Sequence, residues 1–152
     1  MLNIVALQTA TVAGNPEANY ERTSSQIRAL SPRPDLVLLP ELSGPGYDNY
    51  VLKNKEKFAE DAHSGLSFHF YSQLANETNI TIAYGILRKH RDSDAISIAH
   101  VVVKPDTSVL AVYDKIHLCQ VGKCSEVSYG IVPGYPKPCV FELAGMRVGL
   151  CI

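Results

Sequence analysis

Asp35-Leu36-Val37-Leu38-Leu39-Pro40-Glu41-Leu42-Ser43-Gly44-Pro45-Gly46-Tyr47 sets four aliphatic residues in a row and then breaks them with a proline, an acid and two glycines. A short unbroken apolar run closed by Pro and Gly reads as a strand buried on both faces, the kind found in parallel sheets. Glu41 therefore stands at a strand's end, where ligands gather in α/β sheets. Upstream, Asn15-Pro16 has the form of a helix start, with Asn as the cap and Pro in the first helical position. Tyr20, Thr23, Ile27 and Leu30 follow at helical spacing. Ser31-Pro32-Arg33-Pro34 ends that helix, because each proline disfavours helical geometry in the residue before it. Residues 2–8 favour a strand ahead of the helix.

Downstream, residues 48–64 are polar and are expected to be irregular or weakly helical. Leu66, Phe70 and Leu74 mark a second helix, and Ile80–Leu87 a third buried strand. Charged residues 88–94 form a loop. Ile96–Val103 and Val109–Tyr113 predict a hairpin through Pro105-Asp106, and Cys139–Leu143 with Arg147–Ile152 predict another through Ala144-Gly145. Residues 117–138 show little periodicity. The order β-α-β-α-β-β, a long loop and a hairpin describes an α/β chain with a mixed sheet. No repeat or linker divides it.

The 152 residues are 46% hydrophobic and 19% charged, the balance of an ordinary globular protein. A net charge of −1, no Trp and 8% aromatics give neither the field nor the stacking surface that nucleic acid or an anionic membrane would need. No run approaches the ~20 apolar residues of a membrane span. The first residues lack a basic segment and read as a strand, not a signal peptide. Cys119, Cys124, Cys139 and Cys151 accordingly read as reduced thiols, and the expected location is cytoplasmic.

Glu41, Lys115 and Cys151 each follow an apolar strand. An acid, an amine and a thiol are the parts needed to attack an electrophilic carbon: a base, a stabiliser of developing negative charge, and a nucleophile. Each also has an ordinary explanation. A glutamate after a strand is usually solvated, Lys115 could pair with its neighbour Asp114, and a thiol in an apolar run is usually a small core residue. His117, Cys119, Cys124 and Cys139 are zinc-capable types, but they lack a C-x-x-C pair, so no metal site is expected.

The wording around the three residues goes further. Leu38-Leu39-Pro40-Glu41-Leu42 with Gly46-Tyr47, then Tyr113-Asp114-Lys115-Ile116-His117-Leu118, then Val132-Pro133-Gly134 leading to Arg147-Val148-Gly149-Leu150-Cys151-Ile152, resemble in order the three motifs of the nitrilase superfamily of carbon–nitrogen hydrolases. The resemblance implies that Glu41 is a general base, that Lys115 holds the tetrahedral intermediate, and that Cys151 is the nucleophile that forms a thioester. It implies no metal or organic cofactor. The substrate would be a small amide, carbamoyl compound or nitrile. Glu126, ahead of Pro133-Gly134, stands where many members carry a second carboxylate; its alternative is an exposed loop side chain.

The implied fold is an α-β-β-α sandwich about twice this length, so residues 1–152 are expected to form roughly the first half of the domain. On that view the chain stops one residue past the Cys, and it would lack the turn after the nucleophile and the region through which members form homo-oligomers. Leu36–Leu39, Ile80–Leu87 and Arg147–Ile152 would lose partners on one face, so the chain alone is expected to be poorly behaved, and with its nucleophile next to the last residue, not held in a turn, it is expected to be inactive. A noncatalytic relative acting in binding or assembly is the alternative.

Overall fold

The structure, a computed structural model, describes residues 1–122 and 125–152. Its elements are β1 (Ile4–Ala6), α1 (Pro16–Arg28), β2 (Leu36–Leu38), α2 (Asn49–Lys53), α3 (Lys55–Phe58), α4 (Leu66–Thr78), β3 (Thr81–Lys89), β4 (Ile96–Val103), β5 (Val109–Asp114), a 3-10 turn (Val127–Tyr129), β6 (Cys139–Leu143) and β7 (Met146–Leu150). β1 to β5 lie side by side in chain order in one sheet. β1, β2 and β3 are parallel, because α1 and α4 carry the chain back between them; β3, β4 and β5 are antiparallel. The mixed sheet read from the sequence is therefore present.

Local chemistry explains the boundaries. Asn15 caps α1 by accepting from the Ala18 amide at 3.1 Å, with Pro16 in the first turn. Asn79 closes α4 in the left-handed conformation that Asn tolerates. Ala144 and Gly145 both have positive φ, which matches the hairpin twist between β6 and β7.

α1 and α4 cover one face of the sheet. Ile27, Tyr71 and Leu74 pack there on Val37, Ile82, Tyr84, Ile86 and Val101. Each such fully buried aliphatic side chain stabilises the fold by about 1.5–3 kcal/mol. The hairpin β6–β7 covers the opposite face, where Phe141, Leu143, Val148 and Leu150 meet Leu36, Ala83 and Val102. A third cluster closes one end of the sheet, with Leu42, Val51, Leu52, Leu87 and Ile98 at its centre.

Two expectations need correction. Leu66, one of the three apolar residues that mark α4, is 73% exposed, so the apolar spacing finds the helix but not its buried face, which runs through Ser67, Tyr71, Leu74, Ala75 and Thr78. Small hydroxyl residues stand on that face, so an apolar count misses it: Thr78 donates to the Leu74 carbonyl and Ser67 to Glu60. The strands Leu36–Leu38 and Thr81–Leu87, expected to lack a partner on one face, are covered within this chain by the helices and by the hairpin. β7 does remain largely exposed. Among the described residues, no helix is long and apolar enough to cross a membrane.

Candidate active site

Glu41 begins the turn that follows β2. That turn lies flat on β3: a methyl group at Gly85 would stand 2.4 Å from the Leu42 nitrogen and 2.8 Å from the Pro40 oxygen. Only a residue without a side chain permits that approach. Buried polar groups tie down the rest of the turn. The Gly85 amide donates to Ser43 Oγ at 3.1 Å, and Asn19 Nδ2 donates to the Gly44 carbonyl at 2.8 Å. His100 Nε2 lies 3.1 Å from the Leu39 carbonyl, which can only accept, so that nitrogen carries the proton. Burial lowers the His100 pKa and keeps the ring neutral. The Gly46 amide returns to the Leu42 carbonyl at 2.7 Å, which brings Tyr47 back beside Glu41.

Lys115 leaves the end of β5, its amide bonded to the Ile98 carbonyl and its carbonyl to the Gly134 amide. Gly134 is pressed so closely on Asp114 that an added Cβ would lie 2.5 Å from the Asp114 oxygen. Asp114 does not pair with its neighbour Lys115. Its carboxylate takes Arg88 and the Ser97 hydroxyl instead, leaving the ammonium free to turn inward.

There Lys115 Nζ bridges two carboxylates, 2.7 Å from Glu41 Oε1 and 2.8 Å from Glu126 Oε1. Glu126 is fully buried, not an exposed loop side chain. It also accepts from Tyr47 Oη at 2.6 Å and from the Cys119 amide at 2.7 Å. Burial by itself would lower the Lys115 pKa; the hydrogen bonds and charges of Glu126 and Glu41 outweigh it and hold the pKa above the ordinary value. The ammonium therefore persists although its side chain is largely buried.

Cys151 stands apart from this direct contact. It is exposed, one step beyond β7, in a groove of ≈ 530 Å³ that it shares with Ile116 and His117, the residues after Lys115. Its neighbour Ile152 packs into the cluster that holds Leu42 and Tyr47. The nucleophile candidate thus lies at the same end of the fold as Glu41 and Lys115. Cys139, by contrast, is partly buried, which pushes its thiol up, and its sulfur faces the Val112 carbonyl. Among the described residues, no three metal-capable side chains converge, and Cys124 of the zinc-capable set lies outside them.

Of the sequence candidates, Lys115 is brought into contact with both Glu41 and Glu126, whereas Cys151 lies in the groove beside Ile116 and His117 and outside that contact. Tyr47 was read only as part of a motif's wording, and its bond to Glu126 was missed. The one available signal was the Gly46-Tyr47 pair itself, a left-handed glycine re-aiming the aromatic ring that follows it.

Residues 3–152 match the family described as carbon-nitrogen hydrolase. A nitrilase from Pyrococcus abyssi is 29% identical over 153 residues, covering 100% of this chain and 55% of its own. A 2-oxoglutaramate amidase from Bacillus subtilis is 29% identical over 146 residues, covering 95% and 52%. Among solved structures, a CN-hydrolase superfamily protein from Xanthomonas campestris superposes with a TM-score of 0.81 at 22% identity, over 97% of this chain and 51% of that one. The chain spans about half the length of these relatives.

Proposed function

The chain belongs to the carbon–nitrogen hydrolase family, and on that premise we propose that it cleaves the carbon–nitrogen bond of a small amide, carbamoyl compound or nitrile through a thioester on Cys151. In this reading Glu41 takes the proton of the Cys151 thiol, and the thiolate adds to the electrophilic carbon. For an amide or carbamoyl compound the new anion is held by the Lys115 ammonium, an amine or ammonia leaves with a proton returned by Glu41, and water attacks the thioester to release the acid and free the thiol; a nitrile first gives a thioimidate, which takes up one water before ammonia leaves and the thioester forms. Glu126 keeps Lys115 charged and aimed.

The observation that carries the reading is the ammonium shared between two carboxylates. Among the described residues, Glu126 has bonds to Lys115, Tyr47 and Cys119, whereas Glu41 is partly exposed and has one bond, to Lys115. Glu41 is thus the carboxylate with capacity left to accept a proton.

The test is a panel of amides, N-carbamoyl compounds and nitriles, with mass analysis of the Cys151 peptide during turnover. Cys151→Ala should abolish both hydrolysis and the acyl adduct, while Cys119→Ala and Cys139→Ser retain most of the activity. Turnover that survives in Cys151→Ala would refute the assignment. So would an acyl adduct on another thiol.

A further inference from the structure

Tyr47 is the one member of the charged cluster to which the mechanism above gives no task. It stands beside the ammonium that joins Glu126 to Glu41. Its hydroxyl reaches the same oxygen, Glu126 Oε1, that Lys115 Nζ reaches, at 2.6 Å and 2.8 Å respectively. Its ring centroid lies 6.0 Å from Nζ, at the outer limit of a cation–π contact. A hydroxyl facing a carboxylate oxygen must donate, and such charge-assisted O–H···O⁻ bonds are short and roughly twice as strong as neutral ones. Two donors on Oε1 and the Cys119 amide on Oε2 leave the buried carboxylate little freedom to rotate.

We propose that Tyr47 is a positioning residue for the hydrolase: its hydroxyl pins Glu126 Oε1, so that the Lys115 ammonium stays centred between Glu126 and Glu41. The inference rests on the function proposed above, and it follows from how Nζ divides its bonds. At 2.7 Å and 2.8 Å the ammonium is held almost equally by the two carboxylates. Without the phenolic hydroxyl, Glu126 Oε1 has Lys115 as its remaining donor, and the carboxylate is free to turn and draw Nζ toward itself and away from Glu41. Lys115 would then stand off the position where it meets the developing anion. The turn Leu42–Gly46 makes this possible, since its closing hydrogen bond places Tyr47 on the same side as Glu41. Packing alone does not require the hydroxyl, because the ring lies against the cluster of Leu42, Val51 and Leu52, which a phenylalanine would fill equally well.

The experiment pairs a spectroscopic readout with a kinetic one. In proton NMR of the 152-residue chain, the phenolic proton of Tyr47, held on the buried Glu126 carboxylate, should give a downfield resonance that exchanges more slowly than a free hydroxyl. It should vanish in Tyr47→Phe and vanish or move upfield in Glu126→Gln. In hydrolysis of acetamide and propionamide, Tyr47→Phe should lower kcat by about 10- to 100-fold, the range for losing a partner that orients a catalytic group. KM should stay within about twofold, because substrate contacts are untouched, and the melting temperature should fall by a few degrees with folding still cooperative, since one charge-assisted bond to a buried carboxylate is lost. A wild-type spectrum without that resonance overturns the proposal, as does a Tyr47→Phe chain with unaltered kcat. Wild-type protein that hydrolyses none of the substrate panel counts instead against the hydrolase reading, and the NMR comparison then decides the role of Tyr47.

Discussion

Replacing Gly85 with alanine would set a methyl carbon 2.4 Å from the Leu42 nitrogen, 2.8 Å from the Pro40 oxygen and 3.0 Å from the Glu41 carbonyl carbon. All three are backbone atoms, so no side chain can swing away. β3 cannot yield either, since it is paired with β2 on one side and β4 on the other. The turn must move. Restoring ordinary contact takes a displacement of about 1 Å, and overpacking of this kind typically costs ~1–3 kcal/mol. For a domain of this size each kcal/mol lowers the melting temperature by about 2–4 °C. Glu41 travels with its backbone, which stretches its 2.7 Å bond to Lys115 past hydrogen-bonding range. Misplacement on this scale can cost about 100-fold in rate. Urea denaturation followed by circular dichroism, with turnover measured on the same preparations, checks both figures. Gly149→Ala is the control, because nothing lies within 4 Å of its added Cβ; it should stay within about 0.5 kcal/mol of the parent. A Gly85→Ala protein as stable as Gly149→Ala and as active as the parent would refute the close-approach argument.

Burial raises the pKa of Glu60, against the Ser67 bonds that lower it. The native state therefore holds more protons than the unfolded state once pH passes the ordinary glutamate range. This contribution to stability is full below that range, is lost as pH rises through the raised native value, and then levels off. Glu60→Gln should remove that decline and be the more stable form at neutral pH, as read from denaturation midpoints between pH 4 and pH 8; a decline of equal slope in the variant would contradict it. Asn15→Ala removes the cap that accepts from Ala18 and should cost about 1 kcal/mol. Equal urea midpoints for variant and parent would show that the α1 terminus does not depend on this bond.

Much of this architecture is legible in the sequence. The Asn15-Pro16 start, the two hairpins and the apolar runs of β2 and β3 are local signals, and each element formed where its own residues favour it. The ammonium–carboxylate contact was anticipated through motif wording. What stayed hidden depended on distant partners. Glu126 lies in a segment without periodicity, and its burial comes from Tyr47, 79 positions away, and from Lys115. The buried face of α4 was misplaced because serine and threonine hydroxyls satisfied inside the fold are indistinguishable, in a sequence, from hydroxyls facing water. Gly85 carries no local mark of its role, because the backbone that presses on it comes from the turn after β2.

The span of the site along the chain bears on how it comes into being. Glu41 and Lys115 touch across 74 positions, with α2, α3 and α4 and the strands β3, β4 and β5 between them. Contacts of such separation are entropically late, because the intervening chain must be ordered first, whereas the hairpin β4–β5 closes over a short connection. The charged trio is then among the last features to assemble. An incompletely folded chain would hold these groups apart in water, at no desolvation cost, and would bury an ammonium with its carboxylates only after the sheet that aligns them is complete.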